Sequence, residues 1–440
     1  MRTNSPIATG RRRFRSMGGA LALTLALLLS ACGETDPGAT DTTVAGEATT
    51  EPVTLRVAMG SPGEAQIGVW EAAKAAFEEA NPNVTVELNF QEDDLYETIG
   101  LVNLLNGGDA PDIYFEWAGA RLQSRYDEGF VADLTDAVDG ELGSYFDDGA
   151  FNGMEIDGKT VMVPGNADVT TVMWYNVDIF EELGLTPPTT WEELIQISQT
   201  IRDAGIVPIA IGNKDLWPVG NWSSHMVSRV IGEDLYHQMM TQAIPMDSPE
   251  IVEALGYVAE LAEVGVINES ANAIDDNEGA QLFFQGEAAM HPIGSWLVSW
   301  AIEEAPDLNF DYFNLPAMPG EGTQDSVIAV ATGFIVNAKS ENIDTAVDFL
   351  TLFSSPEFTS QMVDAGGTPL ATGALDREDI DPRLLSLMEL MQSADAIVAP
   401  PDTGYDLEVA DALYAAEAEV LGGVSTPEEA ATAAQAKLDR

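Results

Sequence analysis

The chemical motif that this chain matches most fully is the phosphate-binding pattern G-x-x-x-x-G-K-[ST], which residues 153–160 fit as GMEIDGKT. In a nucleotide-binding P-loop this pattern follows a buried strand and opens a helix, so that backbone N–H groups surround the phosphates. Here Asp157 and Gly158 are instead typical of a type I′ turn between two short strands, and Pro164 and Gly165 follow. The segment therefore predicts a β-hairpin and no nucleotide site.

Candidate catalytic and metal-binding residues are few, and their spacing suits neither role. His225, His237 and His291 form no H-x-x-x-H pair, and Cys32 is the only cysteine. The acidic run at 275–279 misses the calcium-loop register, because its glycine falls at position five. No nucleophile has a histidine partner in a recognisable pattern. The sequence therefore predicts a protein that is not an enzyme and that holds no metal or cofactor.

The composition is strongly acidic, with 73 acidic against 18 basic residues and a formal charge of -55 at pH 7. Such a surface repels nucleic acid, and few Arg or Lys remain to build a pocket for a phosphorylated ligand. The 440 residues are 45% hydrophobic, which is enough for two domains with well-formed cores. Because the chain has one cysteine, its stability must come from these cores and not from disulfides.

The first 32 residues resemble a bacterial lipoprotein signal. A basic run at 11–15 precedes an apolar run at 17–29, and Leu29-Ser30-Ala31-Cys32 closes the segment. The apolar run has about the length of a signal-peptide h-region and is too short to span a bilayer. The resemblance implies a signal peptide over 1–31, cleavage before Cys32, and a palmitate-type lipid anchor on Cys32. Arg-Arg-Arg-Phe at 11–14 also fits a twin-arginine signal, so the export route stays open between that and the general secretory route.

Residues 33–52 are rich in Gly, Thr, Ala and acidic residues and contain one large apolar residue, Val44. That composition is typical of a disordered segment. A flexible coil of about 20 residues spans roughly 25 Å on average. We therefore expect 32–52 to be an acylated cysteine followed by a tether that keeps a folded domain near a membrane.

After the tether, strand and helix patterns alternate. Apolar residues alternate with polar ones at 53–59 and 84–90, helical spacing lies between them, and 111–115 reads as a short buried strand. Alternating strands and helices predict an α/β fold with parallel strands. In open α/β sheets, ligands meet the loops at the carboxyl ends of the strands, which here are 60–64 and 116–118.

An ordered set of motifs over 53–440 resembles the extracellular solute-binding proteins of bacterial ABC importers, in the sugar-binding group related to maltodextrin-binding protein. The motifs, in chain order, are GDAPDI at 108–113, DGKTVMVP at 157–164, YN at 175–176, GLTPPTTWEEL at 184–194, FQGEAAM at 284–290, GSW at 294–296 and GTP at 367–369. Each is weak alone, and the order makes the set specific.

The resemblance implies a two-lobed, periplasmic-binding-protein-like fold of type II, with three hinge crossings and the ligand in the interlobe cleft. We place the crossings near 168–171, 327–332 and 368–378. Lobe one would then comprise 53–168 and 332–370, and lobe two 169–331 and 371–440.

A sugar site needs carboxylate or amide acceptors for hydroxyls and flat aromatic rings for the apolar C–H face. Trp296 matches the family's G-x-W tryptophan, which stacks on the sugar. On the resemblance and on loop position, the expected ligand-binding residues are Glu64, Glu116, Trp117, Asn166, Asp168, Trp217, Trp222, Trp296 and Tyr405. Trp70, Trp174 and Trp191 follow helix or strand patterns and are expected in the core. At 331–333 the sequence Ala-Thr-Gly departs from the paired glycines of many sugar binders. The resemblance therefore does not predict how that wall of the pocket is built.

The predicted function is a lipid-anchored, extracytoplasmic carbohydrate-binding protein. It would be a monomer that delivers a neutral mono- or oligosaccharide to the permease of an ABC importer, with no nucleic-acid partner. The alternatives are the same fold binding a polyamine or an amino-acid-like solute, or a receptor that serves a sensor. The sequence does not identify the sugar or its length.

Overall fold

The computed structural model describes residues 51–92 and 95–440. The predicted signal peptide at 1–31, the lipidation site Cys32 and the tether as far as residue 50 lie outside the described residues. None of the described helices is both long and apolar enough to cross a bilayer. The strands are β1 (Val53–Gly60), β2 (Val84–Gln91), β3 (Ile113–Trp117), β4 (Glu155–Ile156), β5 (Lys159–Thr160), β6 (Val163–Val169), β7 (Val172–Asn176), β8 (Val207–Ile209), β9 (Ala288–Ile293), β10 (Phe310–Phe313), β11 (Val327–Val336) and β12 (Ile397–Val398).

Helices alternate with these strands along the chain. The α-helices are α1 (Glu64–Ala80), α2 (Leu101–Leu105), α3 (Ala120–Asp127), α4 (Thr135–Val138), α5 (Val177–Leu183), α6 (Trp191–Asp203), α7 (Trp217–Ile231), α8 (Glu233–Met240), α9 (Pro249–Val264), α10 (Asp276–Phe284), α11 (Leu297–Glu304), α12 (Ile343–Phe353), α13 (Pro356–Asp364), α14 (Pro382–Ser393), α15 (Pro401–Gly404), α16 (Leu407–Leu421) and α17 (Pro427–Leu438). A π-helical turn at Tyr96–Gly100 leads into α2, and 3₁₀ turns lie at Leu142–Tyr145, Asp148–Phe151 and Ala271–Ala273.

The first sheet forms as the alternating sequence pattern predicts. β1 pairs in parallel with β2 and with β3, while β11 runs antiparallel to β3. Between β1 and β2, α1 turns Val69, Trp70 and Phe77 inward. At its C-terminus the backbone N–H and the side-chain amide of Asn81 both donate to the Phe77 carbonyl. The predicted strand–helix–strand unit is confirmed.

The second sheet has the order β10-β7-β9-β8, with β7 antiparallel to both of its neighbours. Two of its helices begin at side-chain caps. Thr190 caps α6 by accepting from the Glu193 N–H, and the Glu193 carboxylate accepts from the backbone N–H of Thr189. Thr426 and Glu429 form a capping box at the start of α17.

The P-loop-like segment is a hairpin, as predicted. β4 and β5 pair antiparallel, and the turn residues Asp157 and Gly158 have φ of 53° and 73°. Positive φ at both central positions is the mark of a type I′ turn. Each strand is only two residues long, and no helix follows, so the segment lacks the geometry of a phosphate cradle.

Three stretches of chain lie side by side where the two sheets meet. β6 ends at Val169 and β7 of the second sheet begins at Val172. β11 pairs antiparallel with β6 from Ala329 opposite Val169 to Phe334 opposite Val163. The third stretch contains Thr368 and Leu370 and is hydrogen-bonded to the backbone of β6. The Ala167 N–H donates to the Thr368 carbonyl, and the Leu370 N–H donates to the Gly165 carbonyl. The predicted two-lobed α/β fold class is confirmed.

Each lobe has its own aromatic core. In the first, Trp70 stacks on Phe353 with 3.9 Å between ring centroids and meets Phe334 edge-on at 5.0 Å. In the second, the Trp174 indole N–H donates to the Ile293 carbonyl, and Trp191 packs edge-on against Tyr257. All three tryptophans are buried, which confirms the prediction that Trp70, Trp174 and Trp191 belong to the core.

Candidate functional site

A cavity of about 220 Å³ lies between the lobes, at the carboxyl ends of β1 and β3 and beside the three adjoining stretches of chain. Five of the residues predicted from the sequence line it: Trp117, Asn166, Asp168, Trp217 and Trp296. The loop after β1 also contributes Gly60, Ser61 and Pro62, as its position at a strand end predicts.

Two tryptophans from the second lobe form an aromatic wall. Trp217 begins α7 and Trp296 immediately precedes α11, and their ring centroids are 5.8 Å apart with the planes inclined at 54°. The six-membered ring of Trp296 lies over Gly294, where a Cβ would come within 2.1 Å of it. Gly294 therefore permits the position of Trp296 because it has no side chain. Both indoles are half-buried, so part of each ring surface is left exposed to stack on a ligand.

Trp117 faces the cavity from the first lobe, at the end of β3. The Arg121 guanidinium carbon lies 4.5 Å from the centre of its ring, and Phe115 meets it edge-on at 4.8 Å. The cation–π contact and the edge contact hold the indole in one orientation. Trp117 is thus the last residue of a strand, and its ring is contacted on two sides.

The prediction for Glu116 was wrong. It lies within β3, where alternation turns it away from Trp117, and its side chain is 0% exposed. One carboxylate oxygen accepts from Arg121 Nε at 3.0 Å and the other from Arg125 Nε at 3.1 Å. Burial opposes the charge on Arg121, but Glu116 and then Glu97 hold its pKa above the usual value. Glu116 therefore neutralises the guanidinium that positions Trp117.

Asn166 and Asp168 lie in β6, on the floor of the cavity. The Thr332 hydroxyl of β11 donates to the backbone carbonyl of Asn166 at 3.3 Å, which fixes the strand there. The Ser295 hydroxyl donates to Asp168 Oδ1 at 2.9 Å. Burial nevertheless raises the pKa of Asp168 to about 6, since this hydrogen bond only partly offsets the loss of water.

Trp222 and Tyr405 do not reach the cavity, and both predictions require correction. The segment 217–222 is the start of α7 and not a loop, so Trp222 projects into the core and is 2% exposed. Tyr405 packs edge-on against Tyr236 and shares a hydrogen bond with His237. Neither residue is among those that line the cavity.

Glu64 is also displaced from its predicted role. It is the exposed first residue of α1, and its carboxylate does not line the cavity. Its backbone N–H donates to the Glu303 carboxylate at 3.3 Å, and the N–H of Ala65 donates to the same group at 2.6 Å. An anion at a helix N-terminus is favourable. Glu303, near the C-terminal end of α11, thus links α11 to the N-terminus of α1.

Sequence reasoning missed several lining residues, including Glu97, Asp276, Trp300 and Asp402. Asp276 could have been found, because Asp275 and Glu278 form a capping box at the start of α10. Trp300 could also have been found, because it lies in α11, four residues after Trp296. Among the described residues, the lining contains four acidic side chains and no Lys, Arg or His. No cluster of three or more potential metal ligands occurs in the described part of the chain.

The sequence model of the bacterial extracellular solute-binding proteins matches residues 63–359. The chain belongs to that family. Among curated relatives, this solute-binding protein is 24% identical to the multiple sugar-binding protein of Streptococcus mutans over 332 residues, which are 71% of this chain and 74% of that protein. The family membership predicted from the ordered motifs is confirmed.

Solved structures of the same architecture include a chitin oligosaccharide binding protein, with a TM-score of 0.80 and 22% identity over 88% of this chain and 98% of that one. Another is the maltose/maltodextrin-binding domain of Bdellovibrio bacteriovorus bound to maltotriose, with a TM-score of 0.69, 18% identity and the same coverage of both chains. At these identities the similarity establishes the type II fold of this solute-binding protein.

We predict that Glu116→Gln lowers the free energy of unfolding by about 3 to 5 kcal/mol, because it leaves the guanidinium groups of Arg121 and Arg125 buried without their shared carboxylate. The matched control is Glu128→Gln, which removes an ion pair to Arg125 from a half-exposed carboxylate and should cost less than about 1 kcal/mol. Chemical denaturation of both variants is the measurement. Equal losses would show that the buried cluster is not stabilising.

We predict that Asp168 makes the stability of the ligand-free protein depend on pH. Its folded pKa, about 6, lies above the unfolded value of about 4, so the folded state binds more protons between these values. The stabilisation by the neutral carboxyl is complete below about pH 4 and is lost as the pH rises through about 6. The unfolding free energy of the parent relative to Asp168→Asn should fall by about 2 kcal/mol from pH 4 to pH 7. A pH-independent difference between the two proteins would contradict the prediction.

Proposed function

We propose that this solute-binding protein is a lipid-anchored, extracytoplasmic receptor for a neutral mono- or oligosaccharide, which it delivers as a monomer to the permease of an ABC importer without chemical change. The observation that carries the proposal is the pairing of the Trp217–Trp296 wall with acidic acceptors in one interlobe cavity. Aromatic faces suit the C–H face of a pyranose, and carboxylates accept hydrogen bonds from its hydroxyls.

Within this proposal, Trp117, Asn166, Asp168, Trp217 and Trp296 contact the sugar, and the lobes divide as 53–168 with 332–370 and 169–331 with 371–440. The printed names of relatives support a carbohydrate: the Streptococcus mutans protein is a multiple sugar-binding protein, and structural neighbours bind chitin oligosaccharides and maltotriose.

An amino-acid-like solute fits the cavity less well. Its carboxylate would need a cationic partner, and the cavity lining offers acidic side chains but no basic one. A polyamine would suit the acidic lining and remains the second candidate. It would gain from ammonium–carboxylate pairs, whereas a neutral sugar would gain chiefly from the aromatic wall.

Turnover is not part of the proposal, and the histidines support this. His225 Nε2 lies 3.1 Å from the Ser326 hydroxyl, which is the spacing of a nucleophile and its base. Both side chains are 0% exposed, and Arg229 Nε also donates to this hydroxyl. Burial, with Arg229 next, lowers the pKa of His225 well below its usual value. The pair is therefore a structural contact with no access for a substrate.

The experiment is calorimetric titration with xylose, glucose, galactose, mannose, N-acetylglucosamine, xylobiose, cellobiose, maltose and the polyamine spermidine, followed by product analysis. We expect at least one sugar to bind with micromolar or tighter affinity and to be recovered intact. Recovery of a hydrolysed sugar would favour an enzyme. Tight binding of spermidine with no sugar binding would replace the proposal by the second candidate.

We predict that Trp296→Ala weakens binding of the tightest sugar at least tenfold, which is about 1.4 kcal/mol, with a small loss of stability. Trp222→Ala is the matched control, because it removes the same side chain from the core and should cost about 3 to 5 kcal/mol of stability. Gly294→Ala should mimic Trp296→Ala, since its Cβ displaces the indole. A folded Trp296→Ala protein that binds like the parent would remove Trp296 from the site.

We predict that the full-length protein partitions with membranes after expression and that Cys32→Ala releases it or leaves it unprocessed. The physical reason is that multiple acyl chains on one residue give stable anchoring where a single chain is marginal. Detergent phase separation of the parent and the variant is the measurement. Equal partitioning of the two proteins into the aqueous phase would contradict the lipid anchor.

A further inference from the structure

One wall of the cavity carries two polar atoms that have no hydrogen-bond partner. Thr403 is 4% exposed, and its Oγ1 is buried without a partner. Oδ1 of the neighbouring Asp402 is likewise buried and unpaired, and both residues line the cavity. An unsatisfied buried hydroxyl or carboxylate oxygen costs free energy. Both residues border the cavity, so a ligand that fills it is the available source of donors for these two atoms.

The segment that bears them is rigid. The backbone N–H of Asp402 donates to the Tyr414 hydroxyl at 3.3 Å, and this hydroxyl donates to Asn221 Oδ1 at 3.0 Å. The Gly404 N–H donates to the Pro400 carbonyl at 2.8 Å. From the opposite lobe, Gly119 lies against this segment so closely that a Cβ there would come within 2.7 Å of the Thr403 carbonyl. The two acceptors are thus held in place before a ligand arrives.

The chemistry of their surroundings selects a donor that the ligand brings. The nearest guanidinium, that of Arg121, donates to the Glu116 carboxylate and to the Glu97 carbonyl. Its charge lowers the pKa of Asp402, although burial raises that pKa more. In the described part of the chain, no basic side chain lines the cavity that could pair with Asp402. A hydroxyl group can donate to both a carboxylate and a threonine oxygen without bringing a charge into the site.

We infer that Asp402 and Thr403 form a hydroxyl-recognition subsite, in which neighbouring hydroxyls of a sugar ring donate to Asp402 Oδ1 and Thr403 Oγ1. The subsite selects among sugars by the position of their hydroxyls, while the Trp217–Trp296 wall accepts any pyranose face. This inference rests on the proposed function, because it concerns how the same cavity distinguishes one carbohydrate from another. A site built to bind a hydroxyl rejects the analogue that lacks it, since its own polar atoms are then left unpaired.

The experiment titrates the tightest sugar of the panel, and each of its monodeoxy analogues, into the parent protein and into Thr403→Val and Asp402→Asn. Thr403→Val keeps the side-chain shape and removes the hydroxyl. We expect each variant to bind the sugar about tenfold or more weakly than the parent. We also expect one deoxy analogue to bind the parent weakly and to lose no further affinity in Thr403→Val, because the hydrogen bond is already absent.

The matched control is Thr351→Val, a threonine of α12 outside the cavity lining, whose hydroxyl already donates to the Val347 carbonyl. It should leave sugar affinity within about twofold of the parent. Denaturation curves verify that the variants are folded, and if Asp402→Asn is not, Thr403→Val alone decides. Parent-like sugar affinity in folded Thr403→Val would overturn the subsite and leave the proposed function standing.

Two other results of these titrations would have different consequences from parent-like affinity in Thr403→Val. If no sugar of the panel binds the parent protein, the proposed function fails, and the subsite fails with it. A last titration uses analogues of that sugar in which an amino group replaces one hydroxyl. If one of them binds the parent more tightly than the sugar does, and loses that advantage in Asp402→Asn, the donor at this position is an ammonium group. The hydroxyl assignment is then overturned.

Discussion

The pairing of β11 with β6 and β3 is the constraint on which the cavity depends. β11 places Val330 opposite Asp168 of β6 and Thr332 opposite Trp117 of β3. One strand therefore sets the distance between the cavity floor and the first-lobe aromatic. Gly333, at the register shift between Ala331 and Gly333, lies so close to β6 that a Cβ would come within 2.3 Å of the Val163 carbonyl. A glycine at this position lets both neighbours remain hydrogen-bonded to β11.

The two lobes contact each other on both sides of the cavity. Glu303 accepts from the first N–H groups of α1, and a Cβ on Gly366 would come within 2.8 Å of Ser299 in α11. On the other side, Gly119 meets the Thr403 carbonyl. The Glu303 contact is exposed, whereas Ser299 and Thr403 are each 4% exposed. The two lobes are therefore held together by one exposed contact and two buried ones.

The sequence predicted correctly those strands and turns whose conformation depends on neighbouring residues. The alternation of β1 and β2 and the Asp-Gly turn each depend on residues close in sequence. The segment after residue 95 shows the limit of this reasoning. Leu95, Ile99 and Val102 fit one face of a helix, but the π turn at Tyr96–Gly100 changes the register, and these three are exposed while Tyr96 and Leu101 are buried.

The sequence by itself determined the fold class and the family, because the ordered motifs and strand–helix alternation are local signals that survive without knowledge of contacts. It also predicted the aromatic and acidic character of the site. Only the tertiary structure decided which residues have that role. Trp217 and Trp222 lie on one helix, and Glu116 and Trp117 are adjacent in β3, so helical rotation and strand alternation send one member of each pair to the cavity and the other to the interior. Asp402 and Thr403 reach the cavity because residues distant in sequence pack around them, and no local pattern carries that information.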